Sequence, residues 1–178
     1  MVSGTGCGSQ PAYGRAAGIG QDADMNEESE RQPPQATRAL KQFEVLVGEW
    51  TMEGSHPHLP SAVHGHSSFE WLRDGALLGW HFDWEQGQGI PSAFSVIGQD
   101  DALEACTMLY TDERGVARIY QMSLAGGVWK MWRDSPGFSQ RMTGTFSTDG
   151  NTISWRGELS RDGATWEPDL SVTYTRQP

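Results

Sequence analysis

The sequence predicts an all-β fold, an antiparallel up-and-down barrel of about ten strands with a short N-terminal helix. Three observations lead there. Short aromatic or alternating runs follow one another from Gly48 onward, Gly- and Asp-containing turns separate them at hairpin spacing, and one stretch alone carries helical periodicity. Tight turns between successive strands force antiparallel pairing, and closing so many short strands removes their exposed edges. A two-sheet sandwich is the alternative.

Taken in order, residues 1–36 are rich in Gly, Ser, Gln, Pro and acidic side chains, with little to bury against the entropy of ordering. They are expected to form a disordered extension, with the barrel domain over 37–178. Met25 offers a second start site, so the first 24 residues are either a flexible tail or a product of start-codon choice. From 36 to 46, "ATRALKQFEVL" spaces Leu40, Phe43 and Leu46 by three, the stripe of a short amphipathic helix with Thr37 at its cap, suited to plug a barrel end. Strands are expected at 49–55, 66–72, 76–85, 93–99, 105–111, 116–124, 128–133, 138–147, 152–160 and 166–176. "RDG", "DERG", "AGG", "STDGN" and "SRDG" break them with residues that tolerate the positive φ of hairpin turns.

Alternation by two sorts the faces. Leu78, Trp80, Phe82 and Trp84 share one parity; Arg118, Tyr120, Met122 and Leu124 share another strand's long-chain face. Phe138, Gln140, Met142 and Phe146 oppose Arg141, Thr143 and Thr145, while Trp166, Leu170, Val172 and Tyr174 oppose Glu167, Asp169 and Thr173. Eight Trp, six Phe, four Tyr and seven Met can line a ligand-sized apolar cavity or simply fill a core. Trp80, Phe82, Trp84, Arg118, Tyr120, Met122, Trp132 and Met142 are the expected ligand-binding residues. "VWKMWR" leaves the face of Trp132 dependent on whether a bulge interrupts the strand. An outward Trp129 or Trp155 would mark a homodimer face.

Charge and motif content exclude several functions. A formal net charge of −10 gives no basic surface for nucleic acid or an anionic membrane. No run reaches 18 apolar residues, and the N-terminus lacks a signal-peptide pattern, so a soluble cytoplasmic protein is expected. Cys7 and Cys106 sit in unlike surroundings and predict no disulfide; Cys106 in "EACTMLY" reads as a buried inert thiol. Asp100 with Asp101, and Asp112 with Glu113, read as solvated turn acids. No nucleophile elbow, Walker loop or dinucleotide fingerprint occurs, so no catalytic residue is named. Only a motif-less cavity enzyme, cyclase-like or isomerase-like, stays open beside a binder and a purely structural barrel.

"HPHLPSAVHGH", residues 56–66, sets two His-x-His pairs six residues apart. A hairpin there would gather His56, His58, His64 and His66 in a geometry zinc, nickel or copper accepts. Pro57, Pro60 and Gly65 favour instead a solvated, His-rich lip.

"LVGEW" after a short helix, then "FEWLRDGALLGW", "PSAFSVIGQDD", "MLYTDERGVARIYQMSL", "WKMWRDSPGFSQRMTGTFSTDGNTISW" and "SRDGATWEPDLSVTYTR", resembles over residues 40–176 a bacterial calycin-like family of unknown function. The resemblance implies a barrel related to lipocalins, fatty-acid-binding proteins and nitrobindins, with no established catalytic residues. "GEWTMEGSHPHLP" also resembles the opening of haem-binding nitrobindins, but no histidine follows His81 to supply their iron ligand, and no cofactor is expected. Fatty-acid-binding proteins use Arg-x-Tyr on their final strand; here Arg118 and Tyr120 fall on the sixth of the expected strands, and the last carries "YTR" reversed. The expected partner is a small apolar or amphipathic acid, its carboxylate held by Arg118 and Tyr120. Alternatively, Arg118 turns out to Asp112 or Glu113 while Tyr120 fills core.

Overall fold

The computed structural model describes residues 35–100, 102 and 106–178. The expected disordered extension before residue 35, with Cys7 and Met25, lies outside these residues, as does Asp101. A helical segment opens the chain, α1 (Gln35–Leu40) running into a 3-10 turn (Lys41–Leu46). Ten strands follow: β1 (Gly48–Ser55), β2 (Val63–Leu72), β3 (Leu77–Trp84), β4 (Ala93–Gln99), β5 (Cys106–Asp112), β6 (Ala117–Ala125), β7 (Val128–Arg133), β8 (Ser139–Phe146), β9 (Thr152–Ser160) and β10 (Glu167–Arg176). Each pairs antiparallel with its sequence neighbour, and β1 closes on β10, so no strand keeps a free edge. No helix among the described residues is long and apolar enough to cross a membrane.

Closure defines two ends. One is plugged: Leu40, Phe43 and Leu46, three residues apart on the helical segment, are fully buried over Leu78, Ile97, Cys106, Met108 and Met122. Trp50 Nε1 donates to the Leu46 carbonyl at 2.8 Å, and Arg176 donates to the carbonyls of Val47 and Val45. Those carbonyls are ones the helical segment leaves unpaired at its end. The Arg176 guanidinium also lies flat enough over Trp50 to sit 4.1 Å from its ring centroid.

The middle of the barrel is aromatic. Phe69 stacks on Trp80 with centroids 5.0 Å apart, Trp80 meets Trp129 across the interior at 5.1 Å, and Trp129 meets Trp155 at 4.2 Å. Gly144 makes this pairing sterically feasible. A Cβ there would lie 2.7 Å from Cε3 of Trp155, closer than carbon atoms tolerate.

Trp129 and Trp155, whose faces parity left open, are buried at 0% and 4% exposure, so neither marks an outer face for a homodimer. Two sequence expectations need correction. On β7 no bulge intervenes: Trp129 and Met131 point in, and Trp132, paired with Gln121 and Arg141, points out of the barrel rather than lining it. On β10 the register shifts between Pro168 and Ser171. The shift separates Trp166 from the inward set, and its ring packs instead against the surface guanidinium of Arg141, 4.1 Å from centroid to Cζ. Pro168 cannot donate to the ladder, which is why a bulge forms there.

Candidate ligand site at the barrel mouth

The end opposite the helix is polar where the plugged end is apolar. Inward positions nearest this rim are Phe82 and Trp84 on β3, Tyr110 and Asp112 on β5, Arg118 and Tyr120 on β6, Arg133 on β7, and Gln140 and Met142 on β8. Trp80 and Met122 are buried below them, Tyr120 and Trp84 are themselves buried, and Phe82 and Met142 are partly buried against the same core. Trp132 alone of the expected lining residues lies on the outer face.

A chain of hydrogen bonds crosses the mouth. Tyr120 donates to Oε1 of Gln140 at 2.5 Å, Gln140 Nε2 donates to Asp169 at 2.7 Å, and the other Asp169 oxygen meets His56 Nε2 at 3.1 Å. The backbone N–H of His58 donates to His56 Nδ1, which makes Nδ1 an acceptor and Nε2 the donor to Asp169 in a neutral ring. His56 thereby fastens the β1–β2 loop to β10. Leu59 of that loop and Ile90 of the β3–β4 loop are partly buried against the core, and Leu59 comes within contact of Gly89. Gln88 of the second loop accepts from the His64 N–H at 2.6 Å. The two loops cover part of the rim, and a cleft of about 510 Å³ opens beside them between Trp84, Glu85, Ile90, Pro91 and Arg114.

The histidine motif is therefore divided. β2 begins at Val63 with Val63, Gly65 and Ser67 buried, so His64 and His66 take the outer parity, while His56 turns in over the mouth. His56 and His58 have ring centroids 5.3 Å apart, but the four imidazoles do not converge, and no group of three or more metal-ligating side chains forms among the described residues. His81 faces out toward Glu70 and Phe94.

Asp112 is not a solvated turn acid. As the last inward position of β5 it has a fully buried carboxylate, which accepts from Arg114 Nη2 at 2.6 Å and from Tyr110 Oη at 2.9 Å, and also from the backbone N–H groups of Arg114 and Val116. The Arg114 hydrogen bond, helped by the others against burial, holds its carboxyl far below the usual carboxylate range. Burial, then that same carboxylate, keeps the Tyr110 phenol far above its usual value. Because Arg114 takes Asp112, Arg118 does not reach it. The Arg118 guanidinium lies instead on the Phe138 ring, 4.3 Å from its centroid, and 5.8 Å from that of Tyr110. Arg133 reaches the same place, 5.8 Å from the Tyr120 centroid and 6.0 Å from that of Phe138. Burial raises the Tyr120 phenol above its usual pKa, and the two guanidiniums act against that rise through charge and hydrogen bonding. Cys106 lies at the other end, buried beside Gln99, its thiol pushed up to about 11 by burial.

Sequence reasoning put Phe138 and Gln140 on one face with Met142 but gave them no role, and it did not single out Tyr110, Arg114, Arg133 or Asp169. Parity on "VWKMWR" offered Arg133 beside Trp129 and Met131, but only the third dimension places it over Tyr120. For Asp169 the signal was Pro168 within a strand.

No protein-family model matches the sequence, and no curated protein matches it significantly. Solved structures do share the fold. The chain is similar to Rv2717c from M. tuberculosis, with a TM-score of 0.55 and 14% identity over 79% of this chain and 98% of that one. It is also similar to the S-type phycobiliprotein lyase CPES from Guillardia theta, with a TM-score of 0.53 and 11% identity over 82% of this chain and 94% of that one. At such identities the likeness shows the fold alone, a closed antiparallel barrel, and leaves the family open.

Proposed function

We propose that this protein is a small-molecule-binding barrel that admits an apolar or amphipathic guest through the mouth opposite the helix. The observation that carries this reading is the contrast in how the two ends are built. One end is sealed by apolar side chains, whereas the other presents rings and thioethers (Phe82, Tyr110, Met142) beneath polar handles and two apolar-tipped loops. An apolar wall with a few convergent polar groups is the usual make-up of a small-molecule site. The buried Nε1 of Trp84 and Oγ of Ser95, both on inward faces near this end, have no hydrogen-bond partner, and buried polar groups seldom go unpaired without a role. A barrel of the same shape carries the name of a lyase for a pigment protein, which supports a guest held within such a barrel.

A second reading, a barrel that serves structure or interaction alone, is favoured by the ring-to-ring contacts that fill its middle. Native mass spectrometry of freshly purified protein, followed by fluorescence titration with the apolar probe N-phenyl-1-naphthylamine, separates the two. The binding reading expects either a co-purified small molecule or saturable probe uptake at one site. Neither mass nor uptake would leave the structural barrel standing.

A further inference from the structure

Within the mouth, two like charges share one small volume without an acid between them. Arg118 and Arg133, on neighbouring strands, both approach Phe138 and both act on the Tyr120 hydroxyl. Two carboxylates at the mouth are engaged within the chain: Asp112 by Arg114, and Asp169 by His56 and Gln140. No ion pair among the described residues includes Arg118 or Arg133. Nε of Arg133 is buried and has no acceptor at all. Gln140 is held by the chain itself: its amide N–H donates to Asp169, and its oxygen accepts from Tyr120.

The outcome is a surplus of fixed donors. Two guanidiniums repel each other in a partly desolvated site, and a buried cation left unpaired is costly. A planar fork of N–H groups is matched by the oxygens of an oxyanion, which two arginines can hold more firmly than one.

We infer that Arg118 and Arg133 together clamp a single oxyanion, the head group of the guest, with the Phe138 ring as the platform beneath them. This rests on the reading of the mouth as a ligand site and adds the chemical class of the ligand: an acid, carboxylate or phosphate, on an apolar body. Gln140 stands between the Asp169 carboxylate and Tyr120, and the Asp169–Gln140–Tyr120 chain holds the phenol in place beside the clamp.

Two probes with the same aromatic body test the clamp. 1-Anilinonaphthalene-8-sulfonate carries an oxyanion that N-phenyl-1-naphthylamine lacks. The full chain is expected to bind the sulfonate about ten- to a hundredfold more tightly than the neutral amine, the value of charge-assisted contacts. Arg118→Ala and Arg133→Ala should each erase most of that preference, read as the ratio of the two probe affinities, whereas Arg156→Ala, on the outer face, should preserve it. Arg133→Gln serves if Arg133→Ala does not fold, as judged by circular dichroism. Competition with decanoate and decyl phosphate then identifies the head group by whichever displaces the sulfonate at lower concentration. Equal binding of both probes by the wild type, a preference that survives the double substitution, or displacement by decanol as effective as by either acid would overturn the clamp while the mouth site stands. Binding of neither probe would overturn both.

Discussion

Two arginines over aromatic rings, one at each end of the barrel, show how the ends differ. Arg176 lies 4.1 Å from the centroid of Trp50 and spends its N–H groups on the carbonyls of Val45 and Val47. Arg118 lies 4.3 Å from that of Phe138 and enters no ion pair among the described residues. The first is a helix cap that ties the plug to the last strand. The second is a charge held ready on a ring, with Arg133 beside it. Where every donor has a partner within the chain, the chain is serving its own fold; where donors gather without one, the partner is expected from outside.

Substitutions break this contrast in order of size. At the plug, Phe43→Ala removes a fully buried ring and should cost about 3–5 kcal/mol of stability by urea unfolding; a cost below about 1 kcal/mol would mean that the helix does not seal the barrel. Asp112→Asn removes a buried carboxylate's charged contacts and should cost about 1.5–3 kcal/mol at neutral pH. Its folded pKa is depressed, so its contribution is full above the unfolded value of about 3.9 and is lost progressively as pH falls from there through the much lower folded value. Wild type and variant should therefore converge in stability under acid, and a gap that stays constant from pH 7 to below pH 3 would refute the ion pair.

The next comparison sets the ends directly against each other. Arg176→Met should lose on the order of 1.5 kcal/mol, because carbonyls at the end of the helical segment lose their donor. Arg133→Met should fall within about 1 kcal/mol of wild type or exceed it, because a donor without an acceptor is removed from a buried position. Equal losses for both would mean that the mouth arginine is structural. Smallest of all is the effect at Cys106. With its thiol raised to about 11 and buried, it should react with a soluble disulfide reagent at neutral pH only as fast as the chain unfolds.

The barrel was legible in the sequence because period-two alternation and turn chemistry are local. Leu78, Trp80 and Trp84, or Tyr120 and Met122, announce an inward face by spacing alone. The helical plug was legible for the same reason, from the three-residue spacing of Leu40, Phe43 and Leu46. The mouth was only half legible. Arg118 with Tyr120 lies on one strand and could be read, but Arg133, Gln140, Asp169 and His56 come from four other segments, and their meeting depends on closure and on the β10 bulge. Parity failed at two places. It could not choose a face for Trp132, and it carried Trp166 through a register shift that Pro168 had already signalled. His64 and His66 take the exposed parity of β2, in line with the solvated lip that Pro57, Pro60 and Gly65 favoured.

The central claim, that guests enter at the mouth and not at the plug, is tested most directly by the indole N–H resonances of the protein in a nitrogen-15 correlation spectrum. Trp50 reports from the plug, where its Nε1–H is bonded to Leu46, and Trp84 reports from the mouth, where its Nε1 has no partner. On titration with N-phenyl-1-naphthylamine the Trp84 indole resonance should shift saturably while that of Trp50 stays fixed. A shift at Trp50 with Trp84 unmoved would contradict the account.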